Sequence, residues 1–117
     1  MLGVLVTPCL TTGVRPRPRA MSEFLIRRTD GEWFDFPYDR RAEILRPLTI
    51  PSQGVEGWGT HRIEVEGAEV SFSDEDPGFQ VAFETGSLDA TRARQIVDDI
   101  CRNIEAQLGQ KTRVVEL

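Results

Sequence analysis

Cysteine and histidine are scarce in this chain of 117 residues, which contains two cysteines and one histidine. Structural zinc sites are built from several Cys or His ligands at short spacings, and Cys9, His61 and Cys101 do not have such spacings. Cys101 falls on the apolar side of a predicted helix, where an unpaired cysteine behaves as a small hydrophobic side chain. We therefore expect no metal, no cofactor and a reducing, cytoplasmic location.

Long apolar runs and catalytic motifs are also missing. No stretch approaches the roughly 18 consecutive apolar residues that a membrane-spanning helix needs, so contact with a membrane is not expected. The chain contains no glycine-rich phosphate loop, no nucleophile elbow and no Cys-His-Asn set. The acidic turn at residues 74–78 lacks the alternating oxygen ligands of a calcium loop. Asp98 and Asp99 would point in different directions on a helix, so they are not expected to converge on one substrate atom.

Positive charge is in short supply, because 14 basic residues face 19 acidic ones and give a formal charge of −5. Three of the arginines lie among the first twenty residues, which leaves residues 21–117 at −8. An acidic domain repels phosphate backbones at long range, so nucleic acid is not an expected partner. A basic or uncharged protein partner fits this charge better.

Residues 1–20 differ in composition from the rest of the chain. Their apolar piece, residues 2–10, has the length of a signal-peptide core, but no basic residue precedes it and Pro8 interrupts it. The Arg-Pro repeat that follows favours an extended, solvated conformation. Met21 has the features of a natural start. We expect residues 1–20 to be an upstream start-site extension or a disordered leader, with an export signal as a third alternative, and residues 21–117 to form a single domain.

An amphipathic helix is predicted within residues 86–110. Its apolar positions recur at spacings of three and four and form one stripe, which consists of Ala93, Ile96, Val97, Ile100, Cys101, Ile104 and Leu108. The opposite positions are polar and are expected to face water: Arg92, Gln95, Asp99, Arg102, Asn103 and Gln107. Ser87 or Asp89 is predicted to cap the start of the helix, and Gly109 is predicted to end it.

Residues 62–84 contain the clearest β-strands, because apolar and polar side chains alternate there. A type II′ turn at Gly67-Ala68 and a second turn at residues 74–78 divide the region into three strands. The predicted cross-strand pairs are Val65 with Val70, Ile63 with Phe72, Phe72 with Val81, and Val70 with Phe83. The apolar face matches the helix stripe and consists of Ile63, Val65, Val70, Phe72, Phe79, Val81 and Phe83. The opposite face is expected to be acidic, with Glu64, Glu66, Glu69, Gln80 and Glu84.

A further hairpin is predicted at the beginning of the domain. Asp30-Gly31 gives a strong signal for a two-residue turn between the apolar runs 24–28 and 33–36. Both faces of this hairpin carry large apolar side chains: Phe24, Ile26 and Trp33 on one, and Leu25, Phe34 and Phe36 on the other. A single helix cannot cover both faces, so an exposed apolar patch is expected within residues 24–38.

Residues 37–61 give weaker signals. A strand from Glu43 to Ile50 is predicted, and a helical turn capped by Asp39 is the alternative. Three glycines and a proline at residues 51–59 indicate a loop. Trp58 in this loop either closes one end of the core or contacts a ligand or partner.

These elements together predict an α+β fold of two layers. An antiparallel β-meander lies against one long C-terminal amphipathic helix, which packs on one face of the sheet. A short last strand at residues 112–117 then returns to the sheet.

The predicted function is a non-catalytic protein–protein interaction or regulatory module, because a small acidic domain without converging catalytic groups is more often a binding module than an enzyme. No catalytic residue is assigned. The predicted partner-binding residues are Trp33, Phe34, Phe36 and Trp58, used by a protein partner or by a second copy in a weak homodimer.

The alternative is a small enzyme or ligand-binding protein that uses the 51–61 loop. Trp58 and His61 would then bind the ligand, and Glu56 or Glu64 would pair with His61 for acid–base chemistry. A solvated histidine at the head of a strand is the plain alternative for His61. A pocket into which both Trp58 and His61 point would favour the ligand-binding function.

Overall fold

The computed structural model describes residues 22–56, 61–75 and 77–117, which form an antiparallel sheet of six strands and two α-helices. The elements in chain order are β1 Ser22–Arg28, a 3-10 turn Tyr38–Arg40, α1 Arg41–Ile44, β2 Gln53–Gly54, β3 His61–Val65, β4 Ala68–Asp74, β5 Phe79–Phe83, α2 Ala90–Leu108 and β6 Thr112–Glu116. The strand order is β2-β3-β4-β5-β1-β6, and each neighbouring pair is antiparallel. The predicted α+β fold, with its long C-terminal helix and short last strand, is confirmed.

The β3–β4–β5 meander forms the face on which α2 packs. The β4–β5 register is as predicted, with Phe72 opposite Val81 and Val70 opposite Phe83. The β3–β4 register differs by two residues, because Ile63 lies opposite Val70 and not opposite Phe72. A shift of two residues leaves every side chain on its predicted face, so the predicted apolar face is nevertheless buried.

The position of the turn explains this difference in register. Glu66 and Gly67 both have positive φ angles, 52° and 82°, which is the pattern of a type I′ turn centred one residue earlier than predicted. Val65 is therefore opposite Ala68. The sequence signal located the glycine of the turn correctly but assigned it to the wrong turn position.

The predicted hairpin between residues 24–28 and 33–36 is wrong. Strand β1 lies inside the sheet, where it pairs with β5 on one side and with β6 on the other. Both of its edges are therefore occupied, and residues 32–37 form no strand. Phe24 and Ile26 do share a buried face, as the alternation predicts, but they face α2 and the rest of the core.

Helix α2 begins and ends at the predicted residues. Asp89 is the N-cap, and its side chain accepts a hydrogen bond of 2.8 Å from the backbone N–H of Arg92. Gly109 ends the helix in the left-handed conformation with a φ of 70°. Cys101 is buried and unpaired, and burial raises the pKa of its thiol to about 11, so it acts as a hydrophobic side chain.

Two polar residues of α2 that were expected to face water are buried. Asp99 and Asn103 are one helical turn apart, and both face the 43–50 segment of the chain. The Nδ2 group of Asn103 donates hydrogen bonds to three backbone carbonyl oxygens, those of Glu43, Ile44 and Arg46, at 2.9–3.1 Å. Helix α2 is thus covered on two sides, by the sheet and by the 43–50 segment.

The carboxylate of Asp99 completes the attachment of the 43–50 segment. Its Oδ2 atom accepts hydrogen bonds from the backbone N–H groups of Thr49 and Ile50 at 2.8 and 2.9 Å. The backbone carbonyl of Asp99 also accepts a hydrogen bond from the N–H of Leu48. These backbone groups are therefore paired with α2, whereas the backbone of Leu45 bonds to the side chain of His61 in β3.

The predicted strand from Glu43 to Ile50 is consequently wrong, and the helical alternative is closer. Residues 38–44 form a 3-10 turn followed by α1, although Asp39 does not cap either of them. The segment inserts Ile44 and Leu45 into the hydrophobic core, where both are fully buried. Their burial requires that the neighbouring carbonyls find donors, and Asn103 supplies these donors.

Candidate functional site

The loop between β1 and the 3-10 turn is held by side-chain hydrogen bonds at both of its ends. Arg28 donates from Nη1 to the carbonyl of Trp33 at 2.9 Å, and its Nη2 atom pairs with the carboxylate of Asp30 at 2.6 Å. Further along, the amide of Gln110 makes longer hydrogen bonds to the backbone N–H and carbonyl of Asp35, at 3.4 and 3.5 Å. The loop thus has a defined course without being a strand.

Four aromatic side chains project from this loop and the turn after it. Phe34 stacks on Phe79 with ring centroids 5.6 Å apart, and the Phe36 ring lies 6.1 Å from the same residue. Trp33 and Tyr38 remain 51% and 72% exposed. We call Trp33, Phe34, Phe36 and Tyr38 the aromatic surface: two rings are fixed on the core, and two are presented to solvent.

Arg41 connects the aromatic surface to the end of the sheet. Its guanidinium carbon lies 4.6 Å from the centroid of the Tyr38 ring and 5.7 Å from that of Phe79, which are cation–π distances. One nitrogen is 3.5 Å from the carboxylate of Asp74. Sequence reasoning missed both Tyr38 and Arg41, although their spacing of three residues is the one that brings side chains together on a helical turn.

His61 lies close to Arg41, at the start of β3 and on the face of the sheet that α2 covers. Its ring centroid is 5.6 Å from that of Phe72. Burial lowers the pKa of His61 below its usual value; a hydrogen bond to the backbone of Leu45 opposes this effect, and the charge of Arg41 adds to it. The imidazole is therefore neutral at pH 7, and its buried Nε2 atom has no hydrogen-bond partner within the described part of the chain.

The surroundings of His61 contradict two of the predictions made for this residue. The residue is half-buried, so the expectation of a solvated histidine is wrong. Glu64 lies three residues further along β3 and therefore projects from the opposite face of the sheet, which excludes an acid–base pair with His61. Trp58, the other residue predicted to contact a ligand or partner, lies outside the described residues.

The face of the sheet away from α2 is acidic, as predicted, but its carboxylates are partly neutralised. Arg62 is buried on this face and pairs with Glu69 at 2.7 Å and with Glu84 at 2.9 Å. Glu66 belongs to the turn and pairs with Arg92 of α2. Three of the four predicted glutamates thus pair with two arginines, and Glu64 accepts a hydrogen bond from Gln53, so the face does not present a single uncompensated acidic surface.

Within residues 22–56, 61–75 and 77–117, no group of three or more His, Cys, Asp or Glu side chains is arranged to hold a metal ion. Over the same ranges, no helix has the length and apolar character needed to cross a bilayer.

Comparison of the chain with protein-family models, curated proteins and solved structures finds no significant match.

Proposed function

We propose that this chain is a non-catalytic protein-binding module and that its partner contacts the aromatic surface. The observation that carries this proposal is the pair of exposed aromatic side chains, Trp33 and Tyr38, on a loop that hydrogen bonds hold in place. Large aromatic side chains that remain exposed on a fixed backbone are the usual anchors of protein interfaces.

Fixed anchors favour binding because their conformational entropy is largely lost before the partner arrives. Phe34 and Phe36 pack against Phe79 and hold the backbone on either side of Asp35, while Arg41 stacks against Tyr38. The Arg41 side chain is only 16% exposed, so it supports the Tyr38 ring from below, and Tyr38 is the residue that a partner would contact.

A capture experiment with matched variants tests this proposal. The full chain, the Trp33→Asp/Tyr38→Asp double variant and a Leu48→Asp control are immobilised, and captured proteins are quantified by mass spectrometry. Leu48 is a suitable control because it is 48% exposed but lies outside the aromatic surface, beside α2. We expect a partner that the double variant loses and that the Leu48→Asp variant retains.

Equal capture by all three proteins would contradict the proposal, provided that their melting temperatures agree within a few degrees. That agreement is expected because neither Trp33 nor Tyr38 belongs to the buried core of the described residues.

A small-ligand site at His61 is a second candidate function, favoured by one specific observation. Three buried nitrogens, Nε2 of His61 and Nε and Nη1 of Arg41, have no hydrogen-bond partner among residues 22–56, 61–75 and 77–117. Unpaired buried polar groups cost free energy, so a ligand that satisfies them would bind favourably. A hydroxyl or primary amide has the required chemistry, because it accepts from Arg41 and donates to the neutral His61.

Thermal stabilisation by small hydroxyl and amide compounds tests this second candidate. A compound that raises the melting temperature of the natural chain should lose its effect on the Arg41→Gln and His61→Phe variants. A compound that stabilises all three proteins equally would place its site elsewhere.

A further inference from the structure

The two edge strands of the sheet differ in how well they are protected from pairing with another strand. At one edge, β2 contains only two residues and closely follows Pro51, and short strands and prolines are common protections of a sheet edge. At the other edge, β6 contains five residues, Thr112–Glu116, and no proline. Within the part of the chain that the structure describes, no strand lies outside β6.

The register of β1 and β6 shows which backbone groups point away from the sheet. Leu117 donates to the carbonyl of Glu23, and Thr29 donates to the carbonyl of Lys111, so the odd-numbered residues of β6 bond to β1. The even-numbered residues consequently direct their N–H and C=O groups outwards. These residues are Thr112, Val114 and Glu116.

The outward groups of β6 complement those of an identical strand. If two copies align antiparallel about Val114, each Val114 N–H faces the Val114 carbonyl of the other copy, and each Glu116 N–H faces a Thr112 carbonyl. The remaining outward donor is the N–H of Thr112, and it already bonds to Oε2 of Glu105 at 2.8 Å within its own chain. In this register each outward donor therefore has an acceptor, but the outward Glu116 carbonyls gain no donor because Glu105 already occupies the Thr112 N–H, which limits the pairing to four hydrogen bonds.

We propose that two copies of this chain pair through β6, antiparallel and centred on Val114, to form one continuous sheet. Across the axis Arg113 lies opposite Val115 and Thr112 opposite Glu116, so no two like charges are directly opposed. Arg94 donates a hydrogen bond of 3.0 Å to the Asp98 carboxylate, and this bond, with a smaller effect of the Glu116 charge, raises the pKa of Arg94. Four intermolecular backbone hydrogen bonds and little buried area make this a weak dimer.

A proline substitution with a matched control tests the pairing. The Glu116→Pro variant removes an outward N–H for which the described residues provide no acceptor, and Glu116→Ala removes the same side chain but keeps the N–H. In sedimentation equilibrium of the full chain, we expect Glu116→Pro to raise the dimer dissociation constant by about ten-fold or more, because two symmetric hydrogen bonds are lost. Glu116→Ala should retain the dimer.

A disulfide provides an independent test in a Cys9→Ser background. Residues that face each other as a hydrogen-bonded antiparallel pair have Cα atoms about 5.5 Å apart, a distance that a disulfide spans. Val114→Cys should therefore form a covalent dimer on mild oxidation. Arg113→Cys is the control, because its two copies would lie about 8 Å apart and cannot be bridged.

A monomer at all accessible concentrations, or a dimer that Glu116→Pro leaves intact and Val114→Cys does not link, would overturn the proposal. A dimer that persists in Glu116→Pro but dissociates in Trp33→Asp/Tyr38→Asp would overturn it as well, and would assign self-association to the aromatic surface. Loss of partner capture in that double variant, with the β6 dimer intact, separates the two proposals.

Discussion

Asn103 illustrates how one side chain can determine the course of a distant segment. Its amide donates to three backbone carbonyl oxygens of the 43–50 segment, those of Glu43, Ile44 and Arg46. We expect Asn103→Ala to lower the free energy of unfolding by about 2 kcal/mol, because buried carbonyls lose their donors. Gln95→Ala, on the exposed side of α2, should stay within about 0.5 kcal/mol. Urea unfolding of both variants is the measurement, and equal small losses would mean that Asn103 is not buried.

The contact between α2 and the 43–50 segment also depends on pH, because it includes the carboxylate of Asp99. Burial acts to raise the pKa of Asp99, but hydrogen bonds from Thr49 and Ile50, with a smaller effect of Arg102, outweigh it and hold the pKa below 3.8. A carboxyl whose pKa is lower in the folded state than in the unfolded state stabilises the fold above the unfolded pKa. This contribution is lost as the pH falls through the folded value.

Because the pKa of Asp99 is lowered in the folded state, the stabilising effect of its carboxylate should decrease at acidic pH. The natural chain should be more stable than Asp99→Asn at pH 7, and the difference should shrink below about pH 4. Chemical unfolding at several pH values between 7 and 3 measures the difference. If the difference in the free energy of unfolding between the two proteins stays constant over this range, Asp99 is not ionised in its contact with the 43–50 segment.

At the scale of elements, the turns between β3 and β4 and between β4 and β5 each depend on a glycine with a positive φ angle. Gly67 has a φ of 82° and open space where a Cβ atom would lie, whereas a Cβ on Gly78, with a φ of 127°, would lie 2.3 Å from the carbonyl oxygen of Ile26 in β1. Gly67→Ala should cost about 1 kcal/mol of stability from backbone strain alone. Gly78→Ala should cost clearly more, because β1 must also move away from β5.

Thermal unfolding of the two alanine variants distinguishes these effects. A loss at Gly67 as large as that at Gly78 would show that strain in the turn, and not the close approach of β1, dominates at both positions.

The sequence correctly predicted the elements in which buried residues recur at one regular spacing along the chain. Helix α2 and the β3–β4–β5 meander each bury a single regular face, so alternation and helical spacing were sufficient. Strand β1 was recognised but wrongly paired, because Asp30-Gly31 indicates a local turn and cannot show that both edges of β1 are taken by β5 and β6. The 43–50 segment was assigned wrongly because side chains of α2, distant in sequence, satisfy its backbone.

At the scale of the whole molecule, the surface was harder to predict than the core. The apolar excess of residues 33–36 predicted an exposed patch on a hairpin; the hairpin is absent at these residues, and Trp33 is exposed on a loop. Phe34 and Phe36 are not part of an exposed patch, because both pack on Phe79. One end of the hydrophobic core is therefore covered by a loop and not by a strand. Tyr38 could not be assigned to the same surface until the turn at residues 38–40 was known.

Site-specific photo-crosslinking tests the central claim, that the aromatic surface contacts a protein partner, most directly. A benzoylphenylalanine is placed at position 33, 38 or 48 of the full chain in separate experiments, and the proteins are irradiated in a lysate of the source organism. We expect adducts with one common protein from positions 33 and 38, and none from position 48. Adducts from position 48 without any from positions 33 and 38 would contradict it.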